Sequence, residues 1–226
     1  MPFKDHNSSG KTPFITLVII LINILVFLYQ FSLTENGLNN FIQSFAIVPS
    51  AINFADIPSL LPFITSLFLH VGLLHLASNM IFLWVFGDNI EAALGKLKFI
   101  AFFMVGGILA SLGQYYFIQE SSIPLIGASG AIAAVLGAYF VLYPKARVDV
   151  IVPIFFIPTI ITVPASFILV YWFIIQFISG LLSVTSQTSA LGGVAFIAHV
   201  VGFVGGMLLI RFFVSKIHVA NNTQIG

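Results

Sequence analysis

The sequence has no cysteine and very little charge: Asp, Glu, Lys and Arg make up 7% of its 226 residues. The missing cysteine excludes disulfides, thiolate metal sites and a cysteine nucleophile together. The charge deficit excludes an ordinary soluble domain, in which about a quarter of residues are charged. With a net charge of +1 and its eight basic residues scattered, the chain also lacks the basic stripe of a nucleic-acid-binding protein. What it does have is apolar sequence, 59% of all residues with a mean hydropathy of +1.12. Its uncharged runs are long enough to span a bilayer, which takes roughly 20 residues as a helix.

Polar clusters divide the apolar sequence into six expected spans, at 13–33, 73–91, 99–118, 128–143, 160–182 and 193–213. The expected fold is an all-α polytopic membrane protein, with a short N-terminal segment 1–12, a six-helix membrane-embedded domain 13–213 and a short tail 214–226. The first apolar stretch, Pro13 to Leu33, is too long for a signal-peptide core and has no small-x-small cleavage pattern after it. The loop from Thr34 to Leu69 is rich in Phe, Leu and Ile and has two charges, Glu35 and Asp56, so an interfacial or partly embedded segment is expected there.

In a six-span arrangement Lys4, Lys11, Lys96, Lys98, Lys145, Arg147, Arg211 and Lys216 all fall on one side, and the other side has only Glu35, Asp56 and Glu120. Basic loops stay cytoplasmic, which predicts that both termini are cytoplasmic. The second, fourth and sixth spans then run from outside to inside. Polar residues near their N-terminal ends, His70, His75 and Asn79, Ser129, and His199, share one depth.

Gly127-Ala128-Ser129-Gly130 opens the fourth span and places a hydroxyl at a helix N-terminus, where backbone N–H groups are free. Taken alone, Ser129 reads as a small residue in a packing stripe, because membrane helices approach through Gly, Ala and Ser. His199 changes that balance, since an ionisable residue inside a span is costly and marks function by default. Positions 199, 202 and 206 share one helix face, as do 129, 133 and 137. If these two small-residue stripes pack together, the imidazole is carried toward the hydroxyl.

His75 and Asn79, spaced i, i+4, lie on one face of the second span. Both can donate hydrogen bonds to a developing oxyanion, although interhelical hydrogen bonding alone would also account for Asn79. Asn23 is the bland case, a polar residue with no evident partner set. A metal site is not expected: His70 and His75 are five apart, no carboxylate lies at their depth, and an HExxH pattern is absent. No cofactor is expected either.

The segments His70-Val-Gly-Leu-Leu-His75-Leu-Ala-Ser-Asn79, Gly127-Ala-Ser129-Gly130 and Ala198-His199-Val-Val-Gly202 occur in an order that resembles the rhomboid family of intramembrane serine proteases. The resemblance covers nearly the whole chain and implies a six-helix bundle of rhomboid type. It implies Ser129 as nucleophile, His199 as general base, and His75 with Asn79 as oxyanion partners beside the Ser129 N–H. His70 and Gly127 are implied as supporting residues. Two departures stand out. Many relatives have an aromatic residue one turn after the serine that packs on the histidine, where this chain has Ala133, and the first loop lacks the Trp-Arg pair of many relatives.

The resemblance further implies transmembrane protein substrates, cleaved near the outer side of the bilayer by a Ser-His dyad in contact with membrane lipid. A channel or transporter lined by the histidines is a second reading, opposed by the lack of deep charges and of an internal repeat. A non-catalytic module that binds membrane helices is a third, opposed by the presence of both Ser129 and His199. Short termini without a targeting extension lead to the expectation of a prokaryotic plasma membrane.

Overall fold

The computed structural model describes residues 2–7, 10, 12–155, 157–185 and 195–214. It is mostly helical. Strand β1 (Pro2–Asp5) precedes helix α1 (Phe14–Ser32), the surface helix α2 (Glu35–Phe45) and the one-turn helix α3 (Pro62–Thr65). Helices α4 (Leu73–Leu94), α5 (Lys96–Phe117) and α6 (Ser129–Leu142) follow, then strands β2 (Arg147–Ile154) and β3 (Ile157–Pro164), and finally α7 (Ala165–Thr185) and α8 (Phe196–Phe213). Among the described residues α1, α4, α5 and α8 are long and apolar enough to cross a membrane, while Ser129–Leu142 and Ala165–Ser179 form shorter apolar helices.

Five of the six expected spans coincide with helices to within a few residues. The fifth begins later, and the all-α expectation needs correction: residues 157–164 form β3 instead of the start of a helix. Strands β1, β2 and β3 make an antiparallel sheet in that order, with Arg147 opposite Pro164 and Ile154 opposite Ile157. The physical reason lies in Ile-Pro-Thr-Ile-Ile-Thr-Val-Pro, whose β-branched residues favour a pleated strand. Its two prolines would break a helix but are tolerated on an edge strand. Apolarity alone did not separate the two. The sheet is tied down by polar contacts: the Thr162 hydroxyl donates to Asp149 Oδ1 at 2.6 Å, and the His6 ring lies 2.8 Å from the same oxygen. These two contacts hold the Asp149 carboxyl below the usual carboxylate range.

The segments bearing basic residues meet at one end of the bundle. His6 N–H donates to Arg147 O, Lys96 Nζ sits 4.7 Å from the centre of the Phe14 ring, and Lys98 Nζ donates to Phe213 O. At this end buried Glu91 accepts from the N–H groups of Ile15 and Thr16 and from the Thr16 hydroxyl at 2.8–2.9 Å. A carboxylate at the first turn satisfies otherwise orphaned donors and complements the helix dipole. Gly95, at φ +78°, makes the tight reversal between α4 and α5. At the other end the first loop meets the segment before α6: Ile47 pairs with Leu125 and Ser50 N–H donates to Ser121 O. Within that first loop α2 buries none of its residues, and Phe54, Ile57 and Leu61 are exposed, which fits an apolar segment facing lipid. Lys11, residues 186–192 of the expected outer loop, and the tail from residue 215, with Lys216, lie outside the described residues.

Candidate active site

Small residues bring the central helices into backbone contact. Gly202 of α8 lies against the Gly130 carbonyl and 3.1 Å, measured from an added Cβ, from the Ala133 side chain of α6. One turn on, Gly206 faces the Ala134 backbone, and Gly137 faces the carbonyl of Phe203. The two stripes read from sequence therefore do pack together, through the van der Waals approach that small residues allow in membrane helices. Buried Gln114 of α5 fixes the start of α8, its Oε1 accepting from the Ala198 N–H at 3.1 Å.

Ser129 is the first residue of α6, and the first helical hydrogen bond runs from Ile132 N–H to Ala128 O. The N–H groups of Ser129, Gly130 and Ala131 thus precede the helical ladder and point out of its positive end. Gly127 shapes the approach. Its φ of +127° is a conformation that side chains rarely adopt, and its N–H is anchored to Ser66 O at 2.9 Å. A Cβ at this position would lie 2.9 Å from His75 Cε1, 3.2 Å from His75 Nε2 and 3.7 Å from Ser129 Oγ. The missing side chain is what leaves the space between the His75 ring and the Ser129 hydroxyl. Gly127→Ala should accordingly lower both stability and any Ser129-dependent reaction, whereas Gly72→Ala, whose Cβ would meet nothing within 4 Å, should change neither. Thermal unfolding and serine-directed labelling of the two variants measure the contrast.

His199 is buried near the start of α8. Its Nδ1 lies 2.7 Å from Gln176 Oε1 of α7, and its Nε2 is buried with no hydrogen-bond partner. The Trp172 ring, one turn before Gln176, packs on the imidazole at 5.6 Å between centroids and 37° between planes. This contact bears on the departure at Ala133: α7 supplies an aromatic partner for His199, and Phe196 of α8 itself meets the ring edge to face at 6.5 Å. Sequence reasoning missed both Trp172 and Gln176, although Gln176, an amide within an apolar helix, was a signal of the same kind as His199.

Asn79 and His75 of α4 both meet His70, which precedes the helix. Asn79 Nδ2 lies 2.9 Å from His70 Nε2, so the amide belongs first to a buried His70–Asn79 pair. His70 is itself gripped by Gln30 of α1, whose Oε1 accepts from the His70 N–H and whose Nε2 donates to the His70 carbonyl. The His70 and His75 rings meet edge to face at 5.1 Å, and His75 Nδ1 has no partner. Asn23, the bland case, donates to Ile19 O one turn back within α1. No group of three or more His, Asp or Glu that could hold a metal occurs among the described residues.

An unpaired imidazole nitrogen, a hydroxyl at the positive end of a helix and further imidazole and amide donors are the components of nucleophilic acyl transfer. The one buried carboxylate among the described residues, Glu91, is committed to α1 at the basic end.

Comparison with known proteins bears on the same residues. A Rhomboid domain model matches residues 58–216, more than half of the chain and a range that includes His70, His75, Asn79, Gly127, Ser129, Trp172, Gln176 and His199. Presenilin-associated rhomboid-like protein A, mitochondrial, of Danio rerio is 32% identical over 111 residues, covering 48% of this chain and 29% of that protein. The mitochondrial presenilin-associated rhomboid-like protein of Mus musculus is 35% identical over 97 residues, 42% of this chain and 26% of the relative. Rhomboid protease GluP of Bacillus subtilis is 32% identical over 130 residues, 58% of this chain and 24% of the relative. The chain thus matches about a quarter of the length of these curated relatives. Its order of His70, His75, Asn79, Ser129 and His199, the close approach of α6 and α8 and the domain match together place the chain in the rhomboid family.

Proposed function

We propose that this chain is an intramembrane serine endopeptidase that cleaves transmembrane protein substrates near the outer side of the bilayer, using a Ser129–His199 dyad and no cofactor. The observation that carries the reading is the unpartnered, buried Nε2 of His199 on the helix whose glycines touch the helix that Ser129 begins. In this mechanism Nε2 takes the Ser129 proton as Oγ attacks the scissile carbonyl. The resulting imidazolium returns a proton to the leaving amine, and water then hydrolyses the acyl-enzyme. The Ser129 N–H, with His75 and Asn79, would stabilise the oxyanion, and the neutral surroundings make this a dyad without a carboxylate.

Six crossings with both termini cytoplasmic are the matching topology. It is supported by the meeting of the basic segments at one end, because an even number of crossings returns them to the same side. The prokaryotic plasma membrane is the proposed location.

The direct test uses Ser129→Ala. Wild type should react with a serine-directed fluorophosphonate and cleave a transmembrane substrate in proteoliposomes, and the variant should do neither while still folding and inserting. Cleavage by Ser129→Ala at the wild-type rate would end the serine-protease reading.

A further inference from the structure

We propose that Gln176 is a positioning residue for His199, holding the imidazole in the one neutral tautomer that can act as a base toward Ser129. The inference rests on the dyad reading and adds to it a partner from α7. An amide oxygen can only accept a hydrogen bond. With Gln176 Oε1 2.7 Å from Nδ1, that nitrogen must carry the hydrogen, and a neutral ring then has its lone pair on Nε2. Nε2 is the atom left buried and unpartnered. In the opposite tautomer the Nδ1 lone pair would face Oε1 unless the amide turned its NH2 group inward, and Nε2 could then only donate, so the ring could not accept the serine proton.

Trp172 completes the clamp. Positions 172 and 176 share one face of α7 at i, i+4 spacing. Trp172 covers the imidazole at 5.6 Å between centroids and also contacts Phe203, one turn along α8 from His199, at 6.2 Å. One residue of α7 thus fixes the protons of the ring and the other fixes its plane. With Ala133 too small to touch an imidazole edge-on as an aromatic residue would, α7 is the element that orients the base. Unlike a carboxylate in a Ser-His-Asp triad, a carboxamide orients the ring without a charge to stabilise the imidazolium. This suits a site in which a buried ion would be costly.

The experiment combines two independent readouts on the full chain in proteoliposomes. The first is the ¹⁵N spectrum of histidine-labelled protein, with His199→Ala assigning the His199 signals. Wild type should show a neutral ring protonated at Nδ1, and Gln176→Leu, which keeps the bulk but has no acceptor, should lose that tautomer preference. The second is turnover of a transmembrane substrate. Gln176→Leu should lower kcat roughly tenfold or more, the worth of one hydrogen bond at the base, with KM little changed.

Gln176→Glu restores the acceptor and should recover turnover at alkaline pH. Its carboxylate favours the charged ring, so activity should be lost at a higher pH on the acid side than in wild type. A wild-type ring protonated at Nε2, or a Gln176→Leu variant with wild-type kcat and pH profile, would overturn the proposal. Ser129→Ala run in parallel keeps the outcomes apart. If wild type cleaves no better than Ser129→Ala, the protease reading has failed, and the ¹⁵N spectrum still decides the tautomer.

Discussion

His199→Ala is expected to abolish both fluorophosphonate labelling of Ser129 and substrate turnover while the protein stays folded. Nε2 of His199 is the buried, unpartnered nitrogen on the helix packed against α6, so in the proposed dyad its loss leaves the Ser129 hydroxyl without a base. General-base catalysis contributes about 10²–10⁴-fold to rate, and nucleophile and base fail as a unit rather than additively. Asn79→Ala should behave differently. The base is untouched, and removal of one oxyanion donor costs about 10²–10³ in kcat in soluble serine proteases. The His75 ring and the Ser129 N–H can share that role, which makes the loss smaller. Because Asn79 also pairs with His70, the variant leaves the buried His70 Nε2, just before α4, unsatisfied and should lower stability as well. The measurements are labelling, kcat and KM on the two variants side by side. Equal labelling of His199→Ala and wild type would remove His199 from the mechanism. Full kcat in a well-folded Asn79→Ala would show that this amide serves only to hold His70.

The second large effect concerns packing. Gly206→Ala should destabilise the protein and disable it together, because one added methyl would overlap the backbone of α6, lying 2.6 Å from Ala134 Cα and nearer still to the Ala134 carbonyl. Backbone atoms cannot swing aside as a flexible side chain can, so α6, which Ser129 begins, and α8, which carries His199, must part. Overpacking of this kind costs about 1–3 kcal/mol, and more where nothing yields. The control sits next to it: a Cβ on Gly205 would meet nothing within 4 Å, so Gly205→Ala should keep wild-type stability and activity. Thermal unfolding and turnover of the pair decide the matter. Comparable behaviour of the two substitutions would mean that α6 and α8 do not approach through Gly206.

Much of this protein was determined by its sequence, because its strongest signals are local. A bilayer demands uncharged runs of about 20 residues with satisfied backbones, so the lengths and positions of α1, α4, α5 and α8 follow from where the charges are absent. The spacing of Gly202 and Gly206, and of Ser129, Ala133 and Gly137, specified the faces that pack, since the helical period assigns every residue to a face. Ser129 at a helix start and His199 inside a span were conspicuous because each departs from an otherwise apolar pattern.

The tertiary structure decided what depends on neighbours distant in the chain. Residues 157–164 are as apolar as a span, and pairing with Arg147–Ile154 is what makes them a strand. Asn79 could have faced either His75 on its own helix or a group before it, and the fold gives it to His70, which Gln30 holds from 40 residues away. Above all, the orientation of His199 comes from Trp172 and Gln176, 27 and 23 residues upstream on another helix. Periodicity says which face of a helix a side chain occupies, but not which helix that face will meet; only packing brings the carboxamide of α7 to the imidazole of α8 and so sets which of its nitrogens is left free.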